Sequence, residues 1–179
     1  MLKALIAIVV LAVAATPASA EVVERTPDSF TLRFSVGLET TPGDVALALE
    51  SIARWWDSNH TYSGDAANMT LSLAPGGCFC EALPGGDVFV HGRVKALDDE
   101  HLWLEAPLGP LRDRTTKADL IFSWPEANRG TAVTMTFTVE GAGMGAFADA
   151  VDGVMDTQFD RLTHFIAYGE PPAPDHDPA

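Results

Sequence analysis

The chain has 179 residues, 47% hydrophobic and 8% aromatic, with 11 Lys and Arg against 25 Asp and Glu for a formal net charge of −14. That composition suits one domain with a real core and excludes a disordered chain. A surface this acidic is repelled by phosphate backbones and anionic lipid, so nucleic acid is not an expected partner.

At the amino end Lys3 follows Met1, residues 4–15 (ALIAIVVLAVAA) carry no charge or hydrogen-bonding side chain, and Ala18-Ser19-Ala20 precede Glu21. A basic start, a short apolar stretch and a small-x-small exit predict a secretory signal peptide cleaved after Ala20. A spanning helix needs roughly 20 apolar residues, and Pro17 comes too early for one. The expected organisation is therefore a signal peptide over 1–20, one domain over 21–169 and an unfolded polar tail over 170–179. The protein is expected in the periplasm or secreted, with no membrane anchor after cleavage.

Ser29 to Val36 alternates, with Phe30, Leu32, Phe34 and Val36 on one face, the pattern of a half-buried strand. Thr41 then offers an N-cap, Pro42 a first helical residue and Asp44 a capping-box acid. Val45, Ala48, Leu49, Ile52 and Trp56 follow at helical spacing, predicting a helix over 42–56. Strands are predicted around 69–73, 78–83, 88–97, 101–106, 118–124 and 133–139, with Asn128-Arg129-Gly130 as a hairpin turn. Met144, Phe147, Val151, Val154, Met155, Leu162, Phe165 and Ile166 recur at three- and four-residue steps. They predict a long amphipathic helix with Asp149, Asp152, Asp156 and Asp160 on its solvent side and Gly169 as its stop.

The predicted class is α+β: a curved antiparallel sheet of about seven strands wrapped round a long C-terminal helix, with two short helices after the first strand. A twisted sheet curls round such a helix, and the space between them is a natural place for an apolar cavity.

The order of elements, together with RWWDSNHTYSG (54–64), GGCFCE (76–81), HGRVKALDDEHLWLEAPLGPL (91–111) and DRLTHFIAYGE (160–170), resembles the SRPBCC superfamily. These START-like, helix-grip proteins include polyketide cyclases, birch-type pollen allergens and the domain of heat-shock ATPase activators. The resemblance covers roughly 29–169 and implies a deep apolar pocket between sheet and terminal helix. It implies no particular reaction, because carriers, cyclases, hydrolases and regulators share the scaffold.

Cys78 and Cys80 are the only cysteines. On a regular strand their Cα atoms stand roughly 6.6–6.8 Å apart, the far limit for a disulfide. Two small side chains lining a sheet face are the favoured reading. A disulfide stays open because an exported chain meets oxidant. A metal site stays open too, with Asp57, His60 or His91 as further ligands, although C-x-C is poor zinc spacing.

Residues 55–63 form the densest aromatic and polar cluster, fitting either a ligand mouth or a core edge where Asp57 and Ser63 cap a second short helix. His91, His101 and His164 are scattered, and no nucleophile elbow, zinc-protease, phosphate-loop or dinucleotide motif occurs.

The expected function is an exported protein that holds a small apolar molecule or lipid, without cofactor. Trp55, Trp56, His60, Tyr62, Trp103, Phe122, Trp124, Met135, Phe137, Phe147, Val151 and Met155 are the expected ligand contacts. The alternatives are a cyclase- or hydrolase-type enzyme in the same pocket and a protein-binding regulatory module. Inward faces built of Leu, Val, Met, Phe and Trp favour binding over catalysis, and the ATPase partner of the regulatory relatives does not carry over to an exported chain.

Overall fold

The structure is a computed structural model describing residues 19–173. The apolar stretch of the expected signal peptide and the end of the tail lie outside the described residues. Residues 171–173 carry no regular structure.

The elements run β1 (Ser19–Thr26), β2 (Ser29–Leu38), α1 (Pro42–Glu50), β3 (Met69–Leu71), β4 (Cys78–Ala82), β5 (Val88–Leu97), β6 (His101–Glu105), β7 (Lys117–Ser123), β8 (Glu126–Ala127), β9 (Gly130–Glu140) and α2 (Ala148–Tyr168). The nine strands form one sheet in the order β1-β2-β9-β7-β6-β5-β4-β3, with β8 paired to β9. Every pairing is antiparallel. The expectation of seven strands misses β1 and β8. β1 turns into β2 through Pro27-Asp28, pairing Thr26 with Ser29. β8 is the short first arm of the hairpin whose turn is Asn128-Arg129, pairing Ala127 with Gly130.

Alternation sets the inner face. Phe30, Leu32 and Phe34 of β2 and Val133, Met135, Phe137 and Val139 of β9 are all buried. On the opposite face the partners carry hydroxyls that meet across the strands, Thr31 with Thr138 at 3.2 Å and Ser35 with Thr134 at 2.9 Å. Helix α2 covers the inner face with Met155, Phe159, Leu162 and Phe165, and the Phe159 ring lies 5.8 Å from that of Phe34. Burying a side chain of that size contributes about 1.5–3 kcal/mol. Gly169, at φ 78°, closes the helix in the left-handed conformation.

The first helix is shorter than predicted. Its capping box forms as read, Asp44 N–H donating to Thr41 Oγ1 at 3.2 Å and Thr41 N–H to Asp44 Oδ2 at 3.3 Å. It stops at Glu50, Ser51 leaving the helical conformation at ψ 32°, and the Ala48 carbonyl accepts from Trp55 Nε1 at 2.8 Å. The chain continues in short 3-10 turns at Ile52–Arg54, Ser58–His60 and Ala66–Asn68. Asp57 caps the second as expected, accepting from Asn59 N–H at 3.0 Å. The third is capped by Asp65 rather than Ser63, with Ala67 N–H 2.9 Å from Asp65 Oδ1. Among the described residues no helix is long and apolar enough to cross a membrane.

Candidate functional site

At the amino-terminal end of α2 the sheet and helix part, leaving a partly enclosed cavity of about 380 Å³. Its walls come from four places. Helix α2 and the turn before it give Phe147, Ala150, Val151, Val154 and Met155; the 3-10 turn at Gly109–Leu111 and Leu108 roof it; the segment 56–62 forms one side; and the sheet contributes only Phe137 and His91. Elsewhere Phe159, Leu162 and Phe165 pack under α2, and the inner face holds a void of only about 10 Å³ beside Trp55, Phe79 and Phe122.

Seven of the expected ligand contacts line the cavity: Trp56, His60, Tyr62, Phe137, Phe147, Val151 and Met155. The other five do not. Trp55 is held in the core by its bond to Ala48. Phe122 and Met135 face each other across β7 and β9 within the packed core. Trp124 is tied to the Asp99 carbonyl at 2.9 Å, beneath the β5–β6 turn. Trp103 is 40% exposed on the opposite face, donating to Asp119 Oδ1 at 2.9 Å. Strand parity explains this last case, since Leu102 and Leu104 point inward and Trp103 must point out.

The 57–62 segment is pinned to α2 by Gln158, a fully buried polar residue the sequence reading passed over. Its Oε1 accepts from Asp57 N–H at 2.9 Å, which orients the amide so that Nε2 faces His60 Nδ1 at 3.1 Å. Asp57 Oδ2 lies 3.1 Å from the same nitrogen.

The second missed residue is Glu81. Fully buried on β4, it accepts from Tyr62 N–H at 3.1 Å and from Ser63 N–H, and its Oε2 lies 2.8 Å from His91 Nε2. Burial raises its pKa, but the hydrogen bonds from Ser63, Tyr62 and His91 outweigh burial and hold it below the ordinary value. A carboxylate held ionised is acceptor only, so His91 Nε2 carries a proton. Burial is also the main influence on His91 and pushes its pKa down; the Glu81 charge opposes that and Arg112 adds to it. The imidazole is therefore neutral at neutral pH. Its ring stacks on Phe79 at 5.0 Å.

A β-bulge aims His91 inward. Phe79 pairs with Gly92 but Cys80 pairs with Val90, so the register slips by one and His91 is the extra residue on β5. Gly92 beside it has no room for a Cβ, which would lie 2.8 Å from both the Ala106 Cβ and the Glu105 carbonyl.

The cysteines on the facing strand also depart from expectation. Cys78 and Cys80 are joined as a disulfide with Cα atoms 5.3 Å apart, replacing the wider spacing of a regular strand and the favoured reading of two unpaired side chains. Asp57 and His60 pair with each other, and His91 with Glu81. The five weak metal candidates are thus dispersed, and among the described residues no group of three or more His, Cys, Asp or Glu has metal-holding geometry.

A sheet wrapped round one long terminal helix, with a cavity where the two part, defines the helix-grip class, as the sequence resemblance implies. No family model and no curated protein matches the chain. Solved structures do. CalU16 from Micromonospora echinospora is 14% identical over 89% of this chain and 88% of its own, with a TM-score of 0.57. A protein from Rhizobium leguminosarum is 20% identical over 84% of this chain and 98% of its own, with a TM-score of 0.56. The di-domain ARO/CYC StfQ from the steffimycin biosynthetic pathway is 9% identical over 79% of this chain, which spans 52% of that one, with a TM-score of 0.52. At these identities the likeness shows the fold.

Proposed function

We propose that this is an exported helix-grip protein that holds a small, mainly apolar molecule in the cavity at the head of α2. The observation that carries the reading is the cavity itself. Its volume of about 380 Å³ sits within the usual range for small-molecule sites, and half of its lining residues are Leu, Val, Met, Phe or Trp. A void of this kind without an occupant forfeits packing contacts, at a cost that grows with volume. The residues 3–20 and the Cys78–Cys80 disulfide support the exported setting. Mass spectrometry of organic extracts from the protein purified out of an exporting host tests the reading. A recurrent small apolar molecule at near one per chain is expected. An empty protein that also fails to bind any hydrophobic fluorescent probe saturably overturns it.

A second reading is favoured by one observation. A buried carboxylate that fixes one nitrogen of a cavity histidine and leaves the other unshared is the arrangement of a general base. Enzymatic turnover in the same pocket would use His91 in that role.

A further inference from the structure

The cavity is mainly apolar; Asn59, His60 and Thr61 add polar groups along its 56–62 side, and His91 is the polar group the sheet contributes. His91 is 3% exposed. Nε2 is committed to Glu81 at 2.8 Å, while Nδ1 has no hydrogen-bond partner among the described residues. Because Glu81 is fixed by the Tyr62 and Ser63 backbone, it cannot swing away to reverse the tautomer. The imidazole therefore presents a hydrogen-bond acceptor and no free donor.

The surroundings narrow the ligand further. Phe79 covers one side of the ring at 5.0 Å, and the rings of Tyr62 and Phe89 lie 5.7 Å and 4.9 Å away. The Arg112 guanidinium stacks over Phe89 at 4.7 Å and donates to the Val90 carbonyl, while its Nε is buried without a partner. With the ionised Glu81 2.8 Å from the ring, an anionic ligand at His91 would be repelled. A cavity-side acceptor that no protein group pairs can take a hydrogen bond from a ligand donor in place of water.

We propose that the bound molecule is an uncharged apolar compound bearing a hydroxyl group, a phenol or an alcohol, and that this hydroxyl donates to His91 Nδ1. The proposal rests on the pocket reading above and names the chemical class it takes. The bulge on β5 has a function in it, since without the extra residue His91 would not be delivered beside Glu81 on the cavity side.

Three probes test it at neutral pH: naphthalene, 2-methoxynaphthalene, which can accept but not donate, and 2-naphthol, which can donate. The wild-type protein should bind 2-naphthol roughly three- to tenfold more tightly than the methoxy compound, the range of one net hydrogen bond. In His91→Phe that margin should vanish while naphthalene still binds. Nitrogen-15 spectra of the wild-type histidines provide a readout that needs no variant. The His91 Nδ1 signal should shift on adding 2-naphthol and stay in place with the other two. If all three bind alike with Nδ1 unmoved, the pocket stands and the hydroxyl assignment is overturned. If none binds, the pocket reading itself fails and the assignment with it.

Discussion

Glu81 Oε2 and His91 Nε2 lie 2.8 Å apart on neighbouring strands, both side chains buried, with the carboxylate also held by two backbone N–H groups. Both folded-state pKa values fall below their ordinary values. For each group the unfolded chain then binds protons more readily, so stability falls as pH falls. The His91 contribution is intact above about 6.5 and declines from there to its lower folded-state pKa. The Glu81 contribution is lost in a second step below about 4.5. Urea unfolding from pH 8 down to about 3 should show both declines, and His91→Phe should flatten the upper one. An unchanged slope between pH 6.5 and 5 in that variant would refute the assignment. Glu81→Leu, which strands two backbone donors and the imidazole, should cost on the order of 3 kcal/mol or more.

Cys78 and Cys80 enclose a single residue, so their bond closes a loop too short to remove much chain entropy, about 1.5 kcal/mol on the loop-closure relation. Its larger effect is local, holding β4 opposite the bulge that positions His91. Thiol titration of denatured protein without reductant should find almost no free thiol. The Cys78→Ser/Cys80→Ser protein should lose no more than about 2 kcal/mol and should show altered His91 nuclear resonances. Two free thiols per chain in material taken directly from an oxidising compartment would remove the bond from the account.

Asp152 carries the opposite sign. Burial, then the charges of Asp156 and Asp149, raise its pKa, and its Oδ1 is buried with no partner. A group with a raised folded-state pKa favours the folded state at acid pH and loses that advantage as pH rises through it. Asp152→Asn should therefore stabilise the protein at pH 7 by up to about 1 kcal/mol, with the gain disappearing toward pH 4. A gain independent of pH would point to helix propensity instead.

Period-two and period-3.6 patterns made most of this fold legible. β5 was read at its observed bounds, and β2, β9 and α2 within a few residues. β1 was not, because SAEVVERT lies partly inside a predicted leader and its charges hide any alternation. At the end of α1 the Ala48 carbonyl is taken up by the Trp55 indole, a side-chain partner that propensity cannot report. Glu81 was within reach: it stands two residues after Phe79 on a strand, and a carboxylate in register with a core phenylalanine must be paired. The bulge was not, since a register slip depends on the partner strand.

Cleavage after Ala20 would remove two of the eight residues of β1 and keep the pairings from Glu21 with Arg33 to Thr26 with Ser29. The hairpin should therefore survive processing. Protein recovered from the periplasm or medium of an exporting host should begin at Glu21 on amino-terminal sequencing. Cytoplasmic material with an intact amino terminus would sink the proposed localisation.

Val151 discriminates an empty cavity from a filled core. It sits on the first turn of α2 beside Phe147 and Met155, half-buried, with its side chain on the cavity wall. Val151→Trp adds an indole to that wall. In a packed core such a substitution forces side chains off their rotamers and costs roughly 1–3 kcal/mol. Here about 380 Å³ stands open in front of it, so the ring can enter the space and bury apolar area. The variant should unfold within about 1 kcal/mol of the wild type and bind a hydrophobic fluorescent probe at least tenfold more weakly. Phe122→Ala is the contrast, since Phe122 is buried away from the large cavity and borders a void of only about 10 Å³. It should cost about 3–5 kcal/mol and leave probe affinity nearly unchanged under conditions where it remains folded. Severe destabilisation by Val151→Trp, with probe binding retained, would mean that the head of α2 is packed and that ligand binds elsewhere.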